Sequence, residues 1–180
     1  MKNFLFILLL LPVISCGNGT GVPGDDGFFK KKNTDNITLH EISGDIQDSA
    51  AAAGEYVYVP VYSSIYFKDS TRVYNLSATL SIRNIDTVNE IYVKEINYNN
   101  SRGESVKKFL NKAIRVRPLE TFDLVIDEDD TTGGIGANFI VKWVSTHDVQ
   151  SQIIESVMIS IRQGVGLSFT ESGRVIKRIK

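Results

Sequence analysis

The fold this sequence predicts is all-β: an antiparallel β-sandwich of immunoglobulin or fibronectin-III type, with seven or eight short strands behind a flexible N-terminal tether. Three observations predict it. From Tyr56 onward apolar and polar residues alternate with period two, as a sheet with one face on a core requires. Turn residues punctuate the pattern at short intervals, and no convincing 3.6-residue apolar stripe interrupts it. A composition of 42% apolar and 23% charged residues over 180 positions is ordinary for a globular chain of one domain plus extensions.

The strands follow in order. Tyr56–Tyr62 is β-branched and aromatic, and Pro60, which cannot donate to a ladder, marks it as an edge strand or a bulged one. Ile65–Phe67 continues it before a turn at Lys68-Asp69-Ser70. In the clearest strand Leu76, Ala78, Leu80 and Ile82 face one way and Ser77, Thr79, Ser81 and Arg83 the other. Strict alternation over Ile91–Tyr98 places Tyr92, Lys94, Ile96 and Tyr98 on one side and Ile91, Val93, Glu95 and Asn97 on the other. Asn99–Gly103 is a hairpin turn returning through Ser105–Leu110. Ile114 and Val116, then Phe122, Leu124 and Ile126, lead to the acidic run Asp127–Asp130. Phe139–Ser145 is apolar almost without a break, which fits a central strand with Trp143 as core aromatic. Ile153–Ile161 and Leu167–Thr170 complete the set. A domain over 56–180 is large enough to fold without disulfides, and the single cysteine allows none.

That cysteine lies at the end of a leader. Lys2 gives a positive start, and Phe4–Val13 is an apolar run too short to span ~30 Å of hydrocarbon. Val13-Ile14-Ser15-Cys16 resembles the lipobox of bacterial lipoproteins. The resemblance implies a signal peptide over 1–15, cleavage before Cys16, and acyl chains (a diacylglycerol thioether and an acylated, palmitate-type N-terminus) that anchor the protein to a membrane. Gly17, where an Asp would mean retention at the inner membrane, points to the outer membrane. Residues 16–55 are expected to be a lipidated, disordered linker. Over 17–55 three Lys stand against seven Asp and Glu, a net of −4, and a flexible chain of that length reaches roughly 35 Å. His40 falls in it and is expected to be exposed; the Lys30–Lys32 run is a solvated cluster, and Ser49–Ala53 a turn of helix.

The segments YVPVYSSIY, NLSATLSIRN, GGIGANFIVKW, ESVMIS and SFTESGRVI, lying in that order between 56 and 176, resemble a bacterial secreted or lipoprotein family catalogued only as a domain of unknown function. The resemblance implies an all-β envelope domain and brings no catalytic residues.

Function has to be weighed at single residues. A formal net charge of −1 carries no sign of nucleic-acid binding. One Cys and two His exclude zinc sites of the Cys/His kind. Asp127, Glu128, Asp129 and Asp130 read first as a solvated acidic loop and are also the candidate metal ligands, since Ca²⁺ wants six to eight oxygens; the helix-loop-helix calcium template fails, with Thr132 and Asn138 where it needs Gly and Glu. No other cofactor is implied. Gly133-Gly134-Ile135-Gly136 is followed by a strand rather than a helix, so it supplies turn conformations instead of a phosphate cradle. His147-Asp148 lacks a nucleophile elbow and is a surface loop. Tyr56, Tyr58, Tyr62 and Tyr66 share a parity that would put them on one face if the strand stays regular, either as half-buried core tyrosines, the commoner arrangement, or as an exposed row suited to a glycan or protein partner. Arg174, Lys177, Arg178 and Lys180 form a cationic tail facing acidic wall polymer, lipid or solvent. The leading expectation is a non-catalytic binding or assembly module anchored in the cell envelope. A calcium-dependent ligand or adhesion module is the alternative, and a glycan hydrolase built on carboxylates alone the third.

Overall fold

The computed structural model describes residues 32–44, 46–162 and 164–179; the signal peptide over 1–15, Cys16 and most of the Lys30–Lys32 cluster lie outside the described residues. Antiparallel β-sheet accounts for more than half of the described residues. Twelve strands are described: β1 (Ala53–Val61), β2 (Ser64–Phe67), β3 (Asp69–Asn75), β4 (Ser77–Arg83), β5 (Ile91–Asn99), β6 (Ser105–Lys108), β7 (Ile114–Val116), β8 (Thr121–Ile126), β9 (Ala137–Ser145), β10 (Ile153–Arg162), β11 (Val165–Ser172) and β12 (Arg174–Arg178). One sheet has the order β12-β1-β9-β5-β6, with β7 also on β5; a second runs β11-β10-β4-β8; β2 and β3 form a separate hairpin.

Alternation explains how the two large sheets share a core. Leu76, Ala78, Leu80 and Ile82 from the second sheet lie in one buried cluster with Val57, Val59, Phe139, Val141 and Trp143 from the first. Trp143, 1% exposed, is among its largest members. The Ser156 hydroxyl donates to the Pro60 carbonyl at 2.5 Å, tying β10 to β1. Pro60 sits where β1 has run past its β12 partners, so its missing N–H faces an unpaired side.

Twelve strands are described where seven or eight were expected, and two of the additional ones were invisible to patterning. All five residues of β12 are exposed, and β3 is exposed over its first five, so neither carries apolar alternation. Strand β5 also departs from its expected parity. The register against β9 shifts between Val93 and Glu95, so Ile91, Val93, Ile96 and Tyr98 are all buried. A bulge absorbs one residue, and Lys94 turns outward together with Glu95.

The linker expected over 16–55 is corrected from residue 33 on. α1 (Asn33–His40) packs against β8 and β7. Asn33 acts as a mock strand on the open edge of β8, its Oδ1 accepting the Val125 N–H at 2.8 Å and its Nδ2 donating to the Val125 carbonyl at 2.5 Å. Asn36, buried, donates to the Asp123 carbonyl. Covering an edge this way removes a template for unwanted strand pairing. His40, expected to be exposed, has a side chain 14% exposed, edge-on to Phe122, with Nδ1 2.7 Å from the Asn36 carbonyl and Nε2 3.3 Å from Glu120. The segment continues through a 3-10 turn at Asp48–Ala50 into β1. Asn33→Ala should cost about 1–2 kcal/mol, the penalty of stripping partners from half-buried peptide groups; a lowered urea midpoint at unchanged slope checks it.

Strands β11 and β12 are one stretch of chain that changes sheets at Gly173. The Gly173 N–H donates to Ile154 O at 2.7 Å. A Cβ there would sit 2.6 Å from that oxygen and 2.7 Å from Val57 Cγ1, so only glycine allows the crossing. The crossing brings the cationic residues of β12 alongside β1.

Candidate functional site

The register of the first sheet places its outward side chains in rows across the strands. One row is Lys177, Tyr56, Lys142 and Glu95, from β12, β1, β9 and β5. The next is Arg174, Tyr58, Ile140, Asn97 and Lys108, which reaches β6. A third pairs Pro60, Asn138 and Asn99, with the Asn99 amide donating to Asn138 Oδ1 at 2.9 Å. Val57 and Val59 point into the core between the two tyrosines. Tyr56 and Tyr58 are half-buried and present ring faces to the outside.

One end of this face is held by Asp48. Its Oδ2 lies 2.7 Å from Lys142 Nζ and its Oδ1 3.0 Å from Lys94 Nζ. Lys94 also donates to the Ile46 carbonyl at 2.6 Å, and Glu95 lies 3.7 Å from Lys142. The Lys142 side chain is 8% exposed, and its ammonium and that of Lys177 each lie 5.3 Å from the Tyr56 ring centroid. Hydrogen bonds from Lys142 and then Lys94 hold the Asp48 carboxyl below its ordinary value, against the opposing pull of burial. Burial would push Lys142 down, but hydrogen bonds to Asp48 and Tyr56 outweigh it and leave the ammonium above the usual lysine value. The cluster fastens the segment before β1 onto the sheet.

A carboxyl held below its unfolded value stabilises the fold above that value, and the contribution is lost as pH falls through the folded one. Asp69, Asp86 and Glu104 are shifted the same way, so the acid limb is a sum. Comparing wild type with Asp48→Asn isolates one share. Melting temperature should differ between the two at neutral pH, begin to converge as pH falls below about 4, and coincide only once pH is below the folded carboxyl's own lowered value. Asp48 is 44% exposed, so the difference is modest and shrinks in salt.

The expected tyrosine row is corrected. β1 ends at Val61, and the chain bends before β2. Tyr62 turns onto Phe169, its ring 5.8 Å away edge-on, and Tyr66, 58% exposed, belongs to the separate hairpin. Only Tyr56 and Tyr58 share the face.

The candidate calcium ligands are not gathered either. Asp127, Glu128, Asp129 and Asp130 lie in the β8–β9 connection, where the Asp130 N–H donates to the Asp127 carbonyl. Glu128 reaches away to Arg162 at 3.1 Å, and Asp130 Oδ1 accepts from the Thr132 N–H and hydroxyl. Among the described residues no group of three or more His, Cys, Asp or Glu is placed to hold a metal ion. Further along that connection Gly134 has φ +72°, the left-handed turn expected of the glycine run. His147 and Asp148 are exposed.

Sequence reasoning missed Asp48, Lys94 and Lys142 as a set, because they come from three distant segments. The one local signal was Lys142, a charge inside an otherwise apolar strand.

Beside the tyrosines lies a cleft of about 710 Å³ lined by Tyr58, Pro60, Thr170, Glu171, Ser172 and Arg174. It opens where β11 passes into β12.

Residues 54–176 match a family model described as "Protein of unknown function (DUF3124)". No curated protein matches. A solved structure from Thermotoga maritima, titled "Crystal Structure of Thermotoga maritima 1070", is similar at 10% identity with a TM-score of 0.39, over 67% of this chain and 92% of that one. So remote a likeness carries nothing about ligand or mechanism.

Proposed function

The chain belongs to the DUF3124 family of proteins of unknown function, and from that premise we propose that it is a lipid-anchored, non-catalytic binding or assembly module of the bacterial cell envelope. The observation that carries the reading is the outward face of the first sheet. There Tyr56 and Tyr58 stand in adjacent rows, flanked by amides and cations. Tyrosine offers a large, stiff contact surface at low entropic cost, which is why partner surfaces are enriched in it. A firmly paired sheet holds such a surface ready for a partner without reorganisation.

The anchor is Cys16, and the sequence around it supports acylation there and sorting to the outer membrane. Two acyl chains make attachment near-permanent, where one is marginal. The two sheets, sharing one core, are read as a sandwich of the immunoglobulin or fibronectin-III class. A module of this kind works by holding a partner at the membrane, so its chemistry is recognition.

The test is in-cell crosslinking of the tagged full-length protein, followed by mass spectrometry of what co-purifies, with Cys16→Ser as control. A partner or polymer recovered in near-stoichiometric amount with wild type and lost with Cys16→Ser is the expected result. Equal, background-level recovery from both would overturn the reading.

A further inference from the structure

We propose that the outward face of the first sheet binds an extended acidic polysaccharide, a polymer of carboxylate-bearing sugars, laid across the strands with Tyr58 as its stacking platform. The proposal rests on the binding-module reading above and names its ligand class.

The row through Tyr58 carries it. Arg174, Tyr58, Ile140, Asn97 and Lys108 stand side by side on five neighbouring strands. At ~4.8 Å per strand such a row is about 19 Å long. Its chemistry is ordered: a guanidinium and an ammonium at the two ends, a ring and an aliphatic surface between them, and an amide that both donates and accepts. A sugar ring has an apolar face that stacks on an aromatic ring and a rim of hydroxyls that bond amides. A sugar acid adds a carboxylate, which a guanidinium pairs with in a bidentate fork. A flat face read in a straight row fits a chain molecule better than a compact one.

Charge selects the acidic class. Arg174, Lys177 and Lys108 are exposed, and among the described residues none of them forms an ion pair. Lys142, by contrast, is matched by Asp48 and Glu95. The cations left over lie on the same side of the sheet as Tyr56 and Tyr58, and the one carboxylate in the adjoining cleft is Glu171. The cleft's volume of about 710 Å³ falls in the ~300–1,000 Å³ range of small-molecule sites, and its hydroxyls, Thr170 and Ser172, suit a sugar's rim. It would take the end unit of the polymer, with Tyr58 shared between cleft and row.

The experiment uses full-length protein in detergent. Oligogalacturonate is titrated by calorimetry against a neutral galacto-oligosaccharide of equal length and against phosphatidylglycerol vesicles. Binding to oligogalacturonate alone is expected, weakening as salt rises. Tyr58→Ser and the pair Arg174→Gln with Lys177→Gln should each weaken it about tenfold or more, while Thr79→Ala on the opposite sheet leaves it unchanged. Arg174 and Lys177 are exposed, so that pair keeps the test valid if Tyr58→Ser fails to fold. Equal affinity for the neutral oligomer, preference for the vesicles, or no saccharide binding would each overturn the proposal. If in-cell crosslinking still recovers a protein partner, the binding-module reading stands and only the acidic-polysaccharide assignment falls. If neither assay finds a ligand, both fall.

Discussion

Trp143→Ala is expected to remove about 3–5 kcal/mol of stability, the range for deleting a large buried aromatic. Trp143 lies in β9, the strand paired to β1 on one side and β5 on the other, and it is 1% exposed in the core shared by both sheets. Against a total of about 5–15 kcal/mol, that loss is a large share. The melting temperature followed by circular dichroism should drop by roughly 10–20 °C. Trp143→Phe should cost much less than its size change implies. The indole Nε1 is buried with no hydrogen-bond partner among the described residues, and phenylalanine removes that unpaired donor together with the volume. A Phe variant as damaged as the Ala variant would contradict this account of the core.

Gly133→Ala is the second large effect, at about 3 kcal/mol, the upper end of overpacking costs. An added Cβ would lie 1.9 Å from Tyr98 Oη, 2.6 Å from Cζ and 2.8 Å from Ala137 Cβ. Tyr98 is fully buried and packs on Phe139 with ring centroids 5.1 Å apart, so it has no room to retreat. Gly133 does not have positive φ, which makes the cost purely steric. Adding Tyr98→Phe removes the worst contact and should restore part of the loss. Gly103→Ala is the matching control: φ is +78° there and nothing lies within 4 Å. It should show only the backbone penalty of about 1–2 kcal/mol. If Tyr98→Phe gives no rescue, the close approach of the β8–β9 connection to β5 is wrong.

These two residues mark how far local sequence goes. Trp143 was readable as core because its strand is apolar on both sides. Gly133 was read only as a turn glycine, since its contact with Tyr98 spans 35 positions of chain. Alternation gave Leu76 to Ile82 their correct faces, but it failed in β5, where a bulge re-phases the strand so that Val93 and Ile96 both reach the core. Period-two reasoning has no term for an inserted residue. The segment from 33 to 55 looked like linker because it carries few apolar residues. It is held instead by side chains that substitute for backbone, Asn33 and Asn36 on β8, and by Asp48 between two lysines. Hydropathy does not register such contacts.

The face carrying Tyr56 and Tyr58 was half visible. Two of four tyrosines kept their expected side, and the other two left it where β1 ends. The cations beside them come from β12, which has no strand signature of its own and reaches β1 only through the crossing at Gly173. A cross-strand row is a product of pairing, and pairing between Tyr56 and Lys177 is beyond any local window.

The proposed meeting place of the protein and its partner is the outward face of the first sheet. A photoreactive amino acid placed at Tyr58 in the full-length protein in cells, compared with one at Thr79 on the outward face of the second sheet, tests it most directly. Adducts at position 58, absent at 79 and suppressed by Cys16→Ser, are the predicted result. Equal labelling at both positions, or labelling at 79 alone, would contradict it.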